Sequence, residues 1–339
     1  MPVIHGKPRV AEVYRTAAEA GWVVPTFCAE NQTTVEAILS ACQAKAESLG
    51  RRVPVTVAMT GRYAHRPQAT YYAASGNPDT GLELFLADCE VLARPGGDYP
   101  DVDVLTHLDH GQPDDDAAWL AGDLSRFSSV MYDASAFPWE VNLERTAAFV
   151  AARGDEVLIE GAADEIVDAT GGEHGELTSA GRAAEFVSRT GVDMVVANLG
   201  TEHRASAAEL KYHPEAARAI AERIGAVLVL HGASSVPVGQ LRTLFADGVC
   251  KVNIWTTLER DTAPALLRAM LEHADQVTGP GAADRLAREG LLGPGAPMER
   301  RADISYFTTT WRNRIVGDAM KDIIAGYLDL WYLDPQRTQ

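Results

Sequence analysis

Val102-Asp103-Val104-Leu105-Thr106-His107-Leu108-Asp109-His110-Gly111 is a short apolar, partly β-branched run that turns polar at its last three residues. Val102–Leu108 reads as a β-strand that runs into chemical groups, Asp109-His110-Gly111, at its carboxyl end. Similar runs recur at Val23–Phe27, Val53–Met59, Ser129–Tyr132, Val157–Glu160, Met194–Asn198, Val227–Leu230 and Val249–Ile254. Several are near-continuous rather than alternating in polarity, the pattern of parallel strands covered on both faces. Between them lie Ala-, Leu- and Glu-rich segments with helical spacing. Thr33–Leu49 opens with hydroxyl residues, and Pro138–Ala152, Ser179–Arg189, Pro214–Ile224 and Pro237–Phe245 each open on Pro or Ser.

Eight strands alternating with helices imply right-handed crossovers and a parallel sheet, and eight is the number that closes a (β/α)8 TIM barrel. An open doubly wound sheet is the competing architecture, but no GxGxxG follows the first strand. We therefore expect one α/β barrel domain over residues 1–339, with 258–339 forming a mainly helical C-terminal extension. Gly279-Pro280-Gly281 and Gly293-Pro294-Gly295 interrupt that extension.

The composition is that of a globular protein. Of 339 residues, 46% are hydrophobic and 23% charged, which excludes collagen-like and largely disordered chains. The balance of 47 acidic against 30 basic residues leaves a net charge of −17. Such a surface repels phosphate backbones and anionic lipid, so nucleic acid and membranes are not expected partners. Cys28, Cys42, Cys89 and Cys250 form no CxxC pair and fit a reducing compartment. The first residues contain no apolar signal core, and no apolar run approaches the ~18 residues of a membrane span. A cytoplasmic location is the expectation.

In a barrel, catalytic groups project from the carboxyl ends of strands. Four of the runs end that way: Asp109-His110-Gly111, Gly200-Thr201-Glu202-His203-Arg204, His231-Gly232-Ala233-Ser234-Ser235 and Asn253-Ile254-Trp255-Thr256. His110, His203 and His231 thus fall on one rim. Three imidazoles with an open fourth position suit a catalytic Zn²⁺ or a similar divalent ion, although a single strand-end histidine is more often structural. Asp109 offers a carboxylate beside that ion for proton transfer. Gly232 and Ser234 stand between a strand and a helix, where backbone N–H groups can cradle a phosphate.

The order of six motifs resembles the class II fructose-bisphosphate aldolases and their tagatose-bisphosphate relatives. They are His107-Leu108-Asp109-His110-Gly111, the run 129–135 (Ser-Val-Met-Tyr-Asp-Ala-Ser), Thr190-Gly191-Val192-Asp193, Gly200-Thr201-Glu202-His203, Leu230-His231-Gly232-Ala233-Ser234 and Lys251-Val252-Asn253-Ile254. The resemblance runs from about Val23 to Leu258 and implies a zinc-dependent, usually dimeric barrel enzyme of carbohydrate metabolism. Such an aldehyde-lyase makes or breaks a carbon–carbon bond between a ketose-phosphate donor and an aldehyde. It implies that His110, His203 and His231 hold the metal, with Asp133 and Glu160 at acidic positions near it and room for a monovalent cation. Asp109 would carry a proton to and from the aldehyde-derived hydroxyl, Asn253 would contact the donor, and Gly232, Ser234 and Thr256 would hold its phosphate. A bound ion polarises the donor ketone and stabilises an enediolate, so no Schiff-base lysine is needed and Lys251 reads as a supporting residue.

The departures from the family pattern surround the substrate. Glu160-Gly161-Ala162 stands where the family has Glu-Gly-Glu, and Gly171-Gly172 is followed by Glu173-His174 in place of paired acids. Either Glu173 or His174 could act as the base on the donor. Arg204 replaces the glycine after the second metal histidine and brings a charged, two-donor group to the substrate side. Ala233 replaces a glycine of the phosphate turn. Trp255 stands where a short Asp is usual and either borders the pocket or packs outward as core. These changes predict an aldolase whose substrate is not fructose 1,6-bisphosphate. A non-catalytic homologue predicts decay of the ligands, yet Asp109 and all three histidines remain. A metal-dependent hydrolase fits three His and one Asp but has no need of the phosphate turn, Asn253 and Thr256.

Overall fold

A computed structural model describes residues 3–164, 176–201 and 212–333. Eight parallel strands close into a barrel in sequence order. They are β1 (Val24–Cys28), β2 (Val53–Thr60), β3 (Val102–Gly111), β4 (Ser129–Tyr132), β5 (Leu158–Ala162), β6 (Met194–Val196), β7 (Leu228–Leu230) and β8 (Val249–Ile254). All eight expected runs are strands, displaced by one to three residues at their ends where they differ; β3 continues past Leu108 through Asp109-His110-Gly111. Every residue of β2 is buried, as the unbroken apolar runs foretold. The barrel closes where β1 pairs with β8, Thr26 opposite Asn253, and Thr60 of β2 lies opposite Asp109 of β3.

Two apolar layers hold the fold. One lies between the strands and the surrounding helices, and the other fills the barrel with Leu105, Met131, Leu158, Met194 and Val229. Val10 joins the inner layer from the helix Lys7–Glu19, which covers the amino-terminal end of the barrel. Lys7 fastens that helix by pairing with Asp193 at 2.8 Å.

The helices Trp139–Arg153, Ala180–Thr190 and Pro214–Ile224 match the expected segments to within about a turn. The helix Gln32–Leu49 is capped by Asn31, whose side chain accepts from Thr34 N–H, rather than by a threonine hydroxyl. The expected helix Pro237–Phe245 is shorter, only Val238–Leu241, because the chain turns before the Gly248 bend that starts β8. Beyond the barrel, Thr256–Glu272, Ala274–Thr278, Pro280–Arg288 and Thr309–Trp331 are helical. The last of these packs along Gln32–Leu49, with Lys45 and Asp329 2.9 Å apart. The Trp22 and Tyr332 rings meet at a tilt with centroids 4.6 Å apart, and the indole N–H donates to the Leu333 carbonyl, tying the residues after the last helix to those just before β1.

Candidate metal centre and active site

Asp109 and His110 are neighbours in sequence, and neighbours on a regular strand point to opposite faces. Here they converge. Ligand atoms of Asp109, His110 and His231 all lie within 4.8 Å of one another, and the three residues are buried. Two local features allow it. The register of β3 against β4 shifts between Leu108 and Gly111, and His110 takes φ 49°, the one non-glycine positive φ among the described residues. A left-handed residue costs about 1–2 kcal/mol, and such strain persists where the surroundings enforce it.

The surroundings of His110 do enforce it. Its Nδ1 lies 2.6 Å from Asp133 Oδ2, and its ring stacks on Tyr63 at 4.4 Å. Asp133 is held by Ser135, whose hydroxyl and backbone N–H both donate to Oδ1. Burial lowers the His110 pKa, but Asp109 and the bond to Asp133 outweigh it and raise the net value. The rings of His110 and His231 meet edge to face, 5.0 Å apart.

Asp109 is gripped on both oxygens. Oδ1 accepts from Asn253 Nδ2 at 2.9 Å, and Oδ2 accepts from Arg66 Nη2 at 2.9 Å and from the Cys28 thiol at 3.5 Å. Burial alone would raise its pKa, yet the charges of His110, His231 and Arg66 hold it well below the usual carboxylate range. Beside it opens a cavity lined by Arg66, His231, Gly232, Ser234, Asn253 and Thr256. Gly232 adopts φ 70°, which turns the chain sharply from β7 into the Ala233–Ser235 turn. Trp255 lines the same cavity instead of packing outward, its indole N–H 2.5 Å from Glu30 Oε1.

Glu160 engages a protein partner. Its Oε1 lies 2.5 Å from Lys251 Nζ, and both side chains are fully buried. Lys251 Nζ is also 3.3 Å from His107 Nε2, so that nitrogen accepts and Nδ1–H donates to Ser129 Oγ at 2.8 Å. Burial, and then the Lys251 charge, push the His107 pKa down to about 4. Lys251 is therefore buried and donates to both a carboxylate and an imidazole.

Of the residues singled out from the sequence, the structure brings together Asp109, His110, His231 and Asn253, with Gly232, Ser234 and Thr256 around the adjoining cavity. It places Asp133 against the back of the His110 ring and Glu160 on Lys251. Glu173, His174, His203 and Arg204 lie outside the described residues. Arg66, Tyr63, Cys28 and Glu30 escaped the sequence reading. Cys28 ends β1 and the others follow the carboxyl ends of β1 and β2, so the same strand-end rule applied to those two strands would have found them.

Comparison with known proteins agrees with this architecture. The family model described as fructose-bisphosphate aldolase class-II matches residues 8–306. The D-tagatose-1,6-bisphosphate aldolase subunit GatY of Klebsiella oxytoca is 31% identical over 269 residues, 76% of this chain and 84% of that protein. Among solved structures, the fructose-bisphosphate aldolase of Campylobacter jejuni superposes with a TM-score of 0.74 at 17% identity, covering 98% of this chain and 96% of its own. The YdjI aldolase of Escherichia coli K12 gives 0.64 at 22% identity, covering 96% of this chain and 98% of its own. At those identities the two structures speak for the fold, while the family model and the GatY relative carry the assignment. The chain belongs to the class II fructose-bisphosphate aldolase family.

Proposed function

We propose that this protein is a metal-dependent lyase that reversibly joins a dihydroxyacetone-phosphate-like donor to an aldehyde. The convergence of Asp109, His110 and His231 beside the Gly232–Ser234 turn is the observation that carries this reading. The donor set fits a divalent ion such as Zn²⁺: two buried imidazoles are present, and the Asp133 bond to His110 is the outer contact that orients a ligating histidine. In this proposal His110, His231 and His203 hold the ion, and a bound ion would polarise the donor's carbonyl. The dimer, the cytoplasmic location and a role for Arg204 at the substrate belong to the same proposal, on the family's pattern.

Asp109 moves the proton. Its two oxygens are fixed by Asn253 and Arg66, so it is presented to one side of the cavity in ionised form, ready to accept from a hydroxyl. Asn253 steers both Asp109 and the donor. Backbone N–H groups of the Gly232–Ser234 turn, with Thr256 at the first turn of its helix, receive the donor's phosphate. Glu173 or His174 supplies the base for the donor carbon. Trp255 lining the cavity, where the family has a short acid, supports a substrate other than fructose 1,6-bisphosphate.

Two assays test the reading. In D2O, the zinc-loaded protein is expected to exchange a hydroxymethyl proton of dihydroxyacetone phosphate, and chelation is expected to stop it. A hydrolase or an inert homologue leaves that proton in place, and such a result refutes the proposal. Cleavage of fructose 1,6-bisphosphate should be far slower than is ordinary for the family, and a brisk rate overturns the substrate statement alone.

A further inference from the structure

The strand-end residues that the sequence reading missed form a second side-chain assembly over Asp109. Gln68 Oε1 accepts from the backbone N–H of Thr60 at 2.9 Å, and Gln68 Nε2 donates to Glu30 Oε1 at 2.8 Å. Glu30 fixes the Trp255 indole through its N–H, and the Trp255 ring face lies 4.7 Å from the Arg66 guanidinium carbon. The guanidinium is thereby shelved between an aromatic face and the Asp109 carboxylate, a preorganised cation in a cavity that also holds His231 and Asn253. Its side chain is 13% exposed.

Arg66 brings more donors than the protein uses. Among the described residues, its guanidinium hydrogen bonds run only from Nη2, to Asp109 Oδ2 and Cys28 Sγ. Nε is buried with no hydrogen-bond partner among them. A buried N–H left unsatisfied costs about 1–3 kcal/mol, and ion pairing with one carboxylate oxygen does not account for the remaining edges of the group. An oxygen received by a neighbouring nitrogen of the same planar group would stand next to Asp109 Oδ2. That is the place where, on the proposed function, the substrate's hydroxyl gives up its proton.

The geometry points to Arg66 as a catalytic residue that binds the aldehyde-derived oxygen while Asp109 moves its proton. In cleavage, the Asp109 carboxylate takes the hydroxyl proton and the O–H electron pair becomes the second bond of the new C=O. The neighbouring C–C bond breaks, and its electron pair passes to the donor fragment. Arg66 stabilises the negative charge that grows on the oxygen as the proton leaves, and addition runs the same steps in reverse. Trp255 and Glu30 hold Arg66 in place, which gives the bulky Trp255 a role on this site.

The inference rests on the proposed function, and it is tested by separating the two half-reactions. Proton exchange into dihydroxyacetone phosphate needs no aldehyde oxygen, whereas addition to an aldehyde does. With the zinc-loaded full chain and the polyhydroxy aldehyde that the wild type adds fastest, Arg66→Met should lose about 100-fold or more in addition, the scale of removing one oxyanion donor. Exchange should fall at least about 30-fold less than addition does, and the zinc content, measured by elemental analysis, should stay at the wild-type level. In an Asp109→Asn background, Arg66→Met should cost about ten-fold again, because a residue that merely positions Asp109 has nothing left to position. Equal losses in both half-reactions, loss in neither, or no further loss in that background overturns the role of Arg66. A wild type that performs no exchange brings down the proposed function, and this inference with it.

Discussion

Asp133 carries no ion in this account, yet it determines what His110 can do. By accepting from Nδ1–H at 2.6 Å it selects the tautomer and leaves coordination to Nε2. Asp133→Asn is expected to weaken zinc binding by about 10–100-fold with little change in folding. Competition with a chromophoric chelator measures that affinity, and wild-type affinity in the variant would contradict the assignment. Glu259 offers a test by pH. Burial, reinforced by the Glu30 charge, raises its pKa from an ordinary 4.5 to about 7. The fold therefore prefers the protonated acid. That stabilising preference is complete below pH 4.5 and is lost as pH rises through about 7. Thermal melts at pH 5 and pH 8 should show a larger fall for the wild type than for Glu259→Gln, and equal falls would contradict the shift. At this scale the sequence exposed the ends of β3, β7 and β8, where a polar residue breaks an apolar run. Asn253 stood out by the same rule, but its pairing with Asp109 did not, nor did the grip of Cys28 and Arg66, since the three lie 144, 81 and 43 residues away.

The strands were legible because each is buried on both faces, which leaves an unbroken apolar run in the sequence. Helices were less so. Lys7–Glu19 buries only Val10 and Ala17, so its apolar face is too sparse to reveal it. Pro237–Phe245 has a proline start and apolar residues, but tertiary turns end the helix at Leu241. What joins the strands across the barrel was not legible either. Lys251 on β8 and Glu160 on β5 face each other at 2.5 Å with no exposure, and His107 on β3 completes the contact. Removing one partner strands a buried charge, so Lys251→Met should lower stability by about 3–5 kcal/mol. Lys251→Met combined with Glu160→Leu should recover part of that loss. Urea denaturation measures both, and a double variant no more stable than the single one would contradict the pairing.

Across the whole molecule, the C-terminal extension is a structural part of the barrel rather than an appendage. Tyr332, Trp331 and Leu328 are buried in the same apolar layer as Trp22 and Ile38. A chain ending before Thr309 is expected to lose the cooperative thermal transition in calorimetry, and a wild-type melt would show that the barrel stands without it. No described helix is long and apolar enough to cross a membrane. Barrel closure is also what gathers the site, since His110 and His231 belong to β3 and β7 regions that are distant in sequence. The most direct measurement is the metal content of the wild type and of His110→Ala, His203→Ala and His231→Ala, purified under identical conditions and titrated with zinc. The wild type is expected to hold one ion tightly per chain, and each variant to lose it. Full occupancy in all three variants would contradict it.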